Sequence, residues 1–293
     1  DDILVCSTGM IGVELPMALI RRHVSNIKLS KDGGSSFAKA IMTTDTRPKE
    51  VAVSIDIGGT KITIGGAAKG VGMIHPNMAT MLGFLTTDAS IDPDVLQQML
   101  SKSVNVSFNM IDVDGDQSTN DSVLLIANGA SESTLIELDS GDANEFNDAL
   151  TYVCTELAKE LVRDGEGAQR LIEVMVEGAK SEGDACNAAR SVSSSNLVKA
   201  MVHGRDPNWG RIMMAVGKSN AMLEELKIDI YINDIHIVHE GVSIPFFKDA
   251  VISAMSAPEV KFRVNLNLGK CTATAWSCDL TEEYVTFNSA YST

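Results

Sequence analysis

Apolar positions recur along the chain at two periods, and the change from one to the other marks out its elements. Alternation over 51–57 and 62–64, with Gly58-Gly59 between, predicts two strands joined by a tight turn. Phe146, Leu150, Val153, Leu157 and Leu161 form a helical stripe and predict one long helix over 142–163. Further helices are expected from Pro16, over 36–42, from Asp92-Pro93 and over 182–201. Another is expected from Asp206-Pro207 to Val216, and both Asp-Pro pairs read as N-cap and first helical residue. Apolar runs predict strands at 3–6, 123–126, 171–176 and 283–287, with hairpins turning at Asn233-Asp234 and Gly269-Lys270. Interspersed strands and helices, with hairpins in both halves, predict α/β layers around mixed sheets.

One stretch, 69–82, interrupts this pattern. It carries little charge, two glycines, Pro76, and four kinds of polar chemistry in Lys69, His75, Asn77 and Thr80. A threonine hydroxyl is a weak nucleophile without a base. Cutting the preceding peptide bond supplies one, because the freed α-amine, with a pKa of roughly 8, can accept the hydroxyl proton. Small Ala79 ahead of Thr80 suits an N–O acyl shift; a purely structural threonine is the other reading of the same residues.

Bulk properties narrow the partners. The chain has 293 residues, 22% of them charged, and a net charge of -15, which argues against nucleic acid and anionic membrane surfaces. No apolar run is long enough to span a membrane. Cysteines at 6, 154, 186, 271 and 278 are scattered and odd in number, which fits a reducing compartment. The five histidines form no paired metal motif, so no metal is expected, and His236 and His239 read as surface residues on a strand edge. Asp112, Asp114 and Asp116 have the spacing of a calcium loop, but Gln117 and Val123 stand where glycine and a bidentate glutamate are needed. Asp56-Ile-Gly-Gly-Thr-Lys61 resembles the phosphate-binding turn of actin-like ATPases and sugar kinases, without a second nucleotide motif downstream. Ser7-Thr-Gly-Met-Ile-Gly12 is a polar turn able to offer N–H groups to an oxyanion.

Residues 68–82 closely resemble the self-cleavage region of the ornithine acetyltransferases, the glutamate N-acetyltransferases of arginine biosynthesis. The likeness continues, in the family order, through Ser7-Thr-Gly-Met-Ile-Gly12, Ala40-Ile-Met-Thr-Thr-Asp-Thr46 and Asp114-Gly-Asp-Gln-Ser-Thr-Asn-Asp121. Asp164-Gly-Glu-Gly-Ala168, Asp206-Pro-Asn-Trp-Gly-Arg211 and 288–293 complete it. The resemblance implies layered α-β-β-α units with mixed sheets, of the N-terminal-nucleophile amidohydrolase type. It implies a precursor cut between Ala79 and Thr80, in which 1–79 end an α chain and 80–293 form a β chain intertwined with it. Two of each would assemble as a heterotetramer.

Thr80 is then expected to take the acetyl group of N2-acetylornithine and pass it to glutamate by a ping-pong route, with Thr8 and Gly9 as oxyanion hole. Thr43, Lys69, Thr80, Glu166, Asn288 and Thr293 correspond to the family's substrate-binding positions; Thr44 and Thr46 compete with Thr43. No cofactor is implied, although acetyl-CoA is a candidate second donor. Two other functions stay open: an amidohydrolase with water as acceptor, and an inactive uncleaved homologue. Family members carry a longer segment ahead of the Ser7 motif, and the chain starts without methionine, so a preceding part is expected to be missing. The compartment implied is the cytoplasm, with an organelle matrix as the alternative.

Overall fold

The alternating strand forms as the pattern predicts. In the computed structural model, which describes residues 3–75 and 81–290, β1 (Lys49–Ile57) pairs antiparallel with β2 (Thr60–Lys69). The turn between them carries positive φ at Gly58 and Gly59, and Gly59 N–H bonds Asp56 Oδ1 at 2.8 Å. The ATPase-like segment is therefore an ordinary hairpin turn. Ahead of it lie α1 (Met17–His23) and α2 (Gly34–Ala40). The strand expected at 3–6 does not form, and nothing from residue 3 to 33 is buried. A strand needs a partner for its N–H and C=O groups, and Ile3, Leu4 and Val5 stand largely exposed.

After the site stretch come β3 (Leu82–Thr87), α3 (Pro93–Val106), β4 (Ile111–Asp112), β5 (Ser122–Ala127) and α4 (Gly141–Arg163). Asp92 caps α3 by accepting from Asp94 N–H, with Pro93 first in the helix, as the sequence predicts. Next follow β6 (Leu171–Ala179), α5 (Glu182–Ser193), α6 (Asn196–Gly204) and α7 (Trp209–Gly217). The single helix expected over 182–201 is thus broken at Ser194-Ser195, since serine competes for backbone hydrogen bonds. The next helix starts at Trp209, with Asn208 and not Asp206 as its N-cap residue.

The rest of the chain forms β7 (Asp229–Ile232), β8 (Ile235–His239), β9 (Val242–Ser243), α8 (Lys248–Ala254), β10 (Glu259–Asn265), β11 (Cys271–Cys278) and α9 (Glu282–Ala290). The hairpin at Asn233-Asp234 is present. The one expected at Gly269-Lys270 is not: β6 lies between β10 and β11, parallel to the first and antiparallel to the second. The strand expected at 283–287 is helical.

Two mixed sheets result, β1-β2-β3-β5 and β4-β11-β6-β10-β7-β8-β9, so the layered α/β class is the one observed. Helix α4 packs on both, reaching β1 and β2 on one side and β11, β4 and β6 on the other. Phe146, Leu150, Val153, Leu157 and Leu161, the predicted stripe, are wholly buried. Among the described residues no helix is long and apolar enough to cross a membrane.

Candidate active site

Lys69 is the last residue of β2, and Leu82, its partner across the strand pair, is the first of β3. The stretch 69–82 is thus an excursion that leaves a sheet and returns beside its own starting point. Pro76, Asn77, Ala79 and Thr80 lie outside the described residues, as does Thr293. The cleavage site and the nucleophile predicted from sequence fall there.

Around the near end of that excursion is a cavity of about 520 Å³. Thr8, Gly9, Thr43, Thr44, Lys69, Glu166 and Asn288 all line it, so the described residues predicted for catalysis and substrate binding converge. Its charges sit apart. Lys69, 3% exposed, donates to Thr8 Oγ1 and Thr43 Oγ1 at 3.2 Å each. Burial lowers the Lys69 pKa against the opposing pull of Asp45 and Asp121. Glu166 Oε1 accepts from Thr44 Oγ1 and Oε2 from Asn288 Nδ2, both at 2.9 Å. Of the three competing threonines, Thr43 meets Lys69 and Thr44 meets Glu166. Thr46 turns away to Asp164, which its N–H and hydroxyl both bond.

Local geometry explains how these groups are held. Glu166 follows α4 on the turn Asp164-Gly165-Glu166-Gly167, where its N–H bonds Val71 O at 2.8 Å. Gly167 has φ 73°, and a Cβ there would lie 2.5 Å from Tyr284 N, so the turn accepts only glycine. Beneath the cavity Lys49, fully buried, bonds Asp45 and Asp164 at 2.7 Å each. Asp45 Oδ1 also accepts Gly70 N–H at 3.0 Å. Burial alone would raise the Asp45 pKa; the bonds from Lys49 and Gly70 hold it below the usual carboxylate range.

Sequence reasoning missed two acids here. Asp114, read as part of a failed calcium loop and of a family-like motif but given no role, accepts Met73 N–H at 2.6 Å and Ile74 N–H at 2.9 Å and so shapes the glycine stretch. Its spacing in an Asp-Gly-Asp turn was the available signal. Asp121 has both carboxylate oxygens buried without a hydrogen-bond partner among the described residues. It precedes Ser122, which pairs with Leu82 and donates to Met81 O at 3.0 Å, so Asp121 runs alongside the residue that follows Thr80. No sequence pattern distinguishes such a carboxylate from a loop acid.

His75 anchors the loop. Its Nδ1 lies 2.9 Å from Asp112 Oδ1 and its Nε2 3.2 Å from an Arg190 nitrogen. Lys199, also buried, bonds Asp112 Oδ2 at 2.6 Å. Burial would raise the Asp112 pKa, but Lys199 and His75 keep it lowered.

A backbone turn with a threonine hydroxyl, a buried ammonium and a separate carboxylate can bind a zwitterionic amino acid and stabilise an oxyanion. Known proteins point the same way. The ArgJ family model matches residues 1–293. The arginine biosynthesis bifunctional protein ArgJ of Dehalococcoides mccartyi is 49% identical over 292 residues, spanning 100% of this chain and 72% of that protein. The protein of the same name from Symbiobacterium thermophilum is 49% identical over 291 residues, again covering 72% of its own length. The crystal structure of arginine biosynthesis bifunctional protein argJ from Bacillus halodurans superposes with a TM-score of 0.71 at 43% identity, covering 72% of this chain and 100% of that one.

Proposed function

The chain belongs to the ArgJ family, an enzyme family of arginine biosynthesis, and on that premise we propose that it is a self-processed acetyltransferase with Thr80 as nucleophile. Cleavage between Ala79 and Thr80 frees the Thr80 α-amine and leaves 1–79 and 80–293 as interlocked α and β segments. Two of each make the working heterotetramer, in the cytoplasm. In the first half-reaction Thr80 Oγ attacks the acetyl carbonyl of N2-acetylornithine while the α-amine takes the hydroxyl proton. The amide C–N bond then breaks, that proton goes to the departing nitrogen, and ornithine leaves an acetyl ester on Thr80. In the second, the glutamate amine attacks the ester and restores the hydroxyl. Acetyl-CoA serves as the second donor, a role that the relatives' designation as bifunctional favours.

Each lining residue then has a task. Lys69 binds the α-carboxylate common to acetylornithine and glutamate, with Thr43 beside it; Glu166, steadied by Thr44 and Asn288, binds the ornithine side-chain ammonium. Thr8 and Gly9 stabilise the tetrahedral oxyanion, and Thr293 completes the substrate contacts. The observation that carries this reading is the cavity itself, with its ammonium and its carboxylate held apart by separate threonines.

Intact mass and acetyl transfer test the reading together. Purified wild type should split into two chains at Thr80 and convert acetylornithine plus glutamate into ornithine plus acetylglutamate. Thr80→Ala should do neither. Ornithine release that glutamate does not accelerate would identify the water-dependent amidohydrolase instead, and an unsplit, inactive wild type would identify the binding homologue.

A further inference from the structure

Toward one end of the seven-stranded sheet, on β7 and β8 inside its edge strand β9, two imidazoles and a carboxylate share one face. On a regular strand residues three apart point to opposite faces. β8 is not regular: Tyr231 pairs with His236, but Ile230 pairs with Val238, so Ile237 is an extra residue and the strand bulges there. A bulge re-aims the side chains that follow it. Here it returns His239 to the face of His236, next to Asp229. His239 Nδ1 lies 2.9 Å and His236 Nε2 3.8 Å from Asp229 Oδ1. All three ligand atoms fall within 4.8 Å of one another.

We propose that Asp229, His236 and His239 bind one divalent transition-metal ion of the zinc type, with water in the fourth position. An ion held tetrahedrally at about 2.0–2.1 Å keeps its ligands roughly 3.3 Å apart, so the His239–Asp229 pair opens slightly while His236 closes in. Two imidazoles with one carboxylate suit zinc, nickel or copper better than calcium or magnesium.

An independent observation points to a ligand. His236 Nε2 is buried and has no hydrogen-bond partner among the described residues. A plain His239–Asp229 hydrogen bond accounts for the other two groups and leaves this nitrogen unexplained. The surroundings also fix the ligands in place, as outer contacts do in metal sites. The His236 ring stacks on Tyr231 with centroids 4.2 Å apart and planes at 15°. Asp229 Oδ2 accepts from Asn267 Nδ2, and Oδ1 from Glu240 N–H, both at 3.0 Å. None of these residues lines the cavity, so the ion would clip β7 to β8 and take no part in acetyl transfer.

Zn²⁺ titrated calorimetrically into the chelator-stripped full chain should bind at one equivalent. The double variant His236→Gln/His239→Gln should weaken that binding by about tenfold or more. His203→Gln, which changes a histidine elsewhere, should leave it unchanged. Zn²⁺ should also raise the Tm of wild type and not that of the double variant. Should the double variant not fold, His236→Gln alone gives the same comparison, because this nitrogen loses no hydrogen bond to any described residue. Equal uptake by wild type and variant, or no uptake by wild type, overturns the assignment.

Discussion

Asp121 makes the site costly to fold. Its carboxyl is buried beside Lys69 without a hydrogen-bond partner among the described residues, and burial pushes its pKa up to about 8 against the pull of that lysine. In an unfolded chain the same group ionises near pH 3.9. The folded state therefore holds the proton more tightly, and its contribution to stability is complete below the unfolded pKa. It is lost as pH rises through the folded value. Asp121→Asn keeps the shape and removes the titration. Relative to wild type the variant should gain stability steadily from about pH 4 to pH 8 and level off above, because the amide escapes the cost of ionising a buried carboxyl. Urea denaturation at several pH values measures this, and parallel profiles for the two proteins would sink the idea. Asp121 also acts electrostatically on Lys69, the ammonium that lines the cavity. The same substitution should then slow acetyl transfer while it stabilises the fold, a trade common at functional sites.

Two short loops, the one after β2 and the one after α4, bring the charged ends of the cavity together, and Gly72 is where they touch. A Cβ at Gly72 would lie 2.5 Å from Glu166 Oε2. The obstructed atoms are the tip of a flexible side chain, so Gly72→Ala should fold with little change in Tm. The displaced carboxylate would lose Thr44 and Asn288, and KM for acetylornithine should rise about tenfold, equivalent to ~1.4 kcal/mol. An unchanged KM would argue that Glu166 does not face the substrate. Elements of this kind were partly legible beforehand. The stripe of α4, the Asp92-Pro93 start of α3 and the alternation of β1 are local patterns, and each forms where expected. Pairing across distance is not local. Gly269-Lys270 has the look of a hairpin turn, yet β6, some ninety residues earlier, separates the two strands. The apolar run at 283–287 reads as a strand, but Thr281 starts a helical turn by accepting Tyr284 N–H. The site residues were legible through a family resemblance; the contacts of Asp114 and Asp121, which bound one of its motifs, were not, because they depend on what packs against them.

For the molecule as a whole, the pairing of β2 with β3 decides what processing would do to its integrity. Residues 64–69 and 82–87 are hydrogen-bonded partners, so a cut between Ala79 and Thr80 severs the loop and leaves the ladder intact. Each half is incomplete without the other. β1 and β2 supply one side of the four-stranded sheet and β3 and β5 the other, while α4, from the later half, packs on β1 and β2. Lys49 ties the earlier half to Asp164 of the later one, within a buried network that is expensive to break, at about 3–5 kcal/mol when one partner is removed. Processed chains should therefore travel as one species in native size-exclusion chromatography and part only under denaturing conditions. Lys49→Met leaves buried Asp45 with only backbone N–H bonds and Asp164 with Arg47 at 3.9 Å as its remaining cation, and should lower stability by about that amount. Separate elution of the two wild-type chains under native conditions would show that the ladder and this network do not suffice, and that the two segments do not form one interlocked unit.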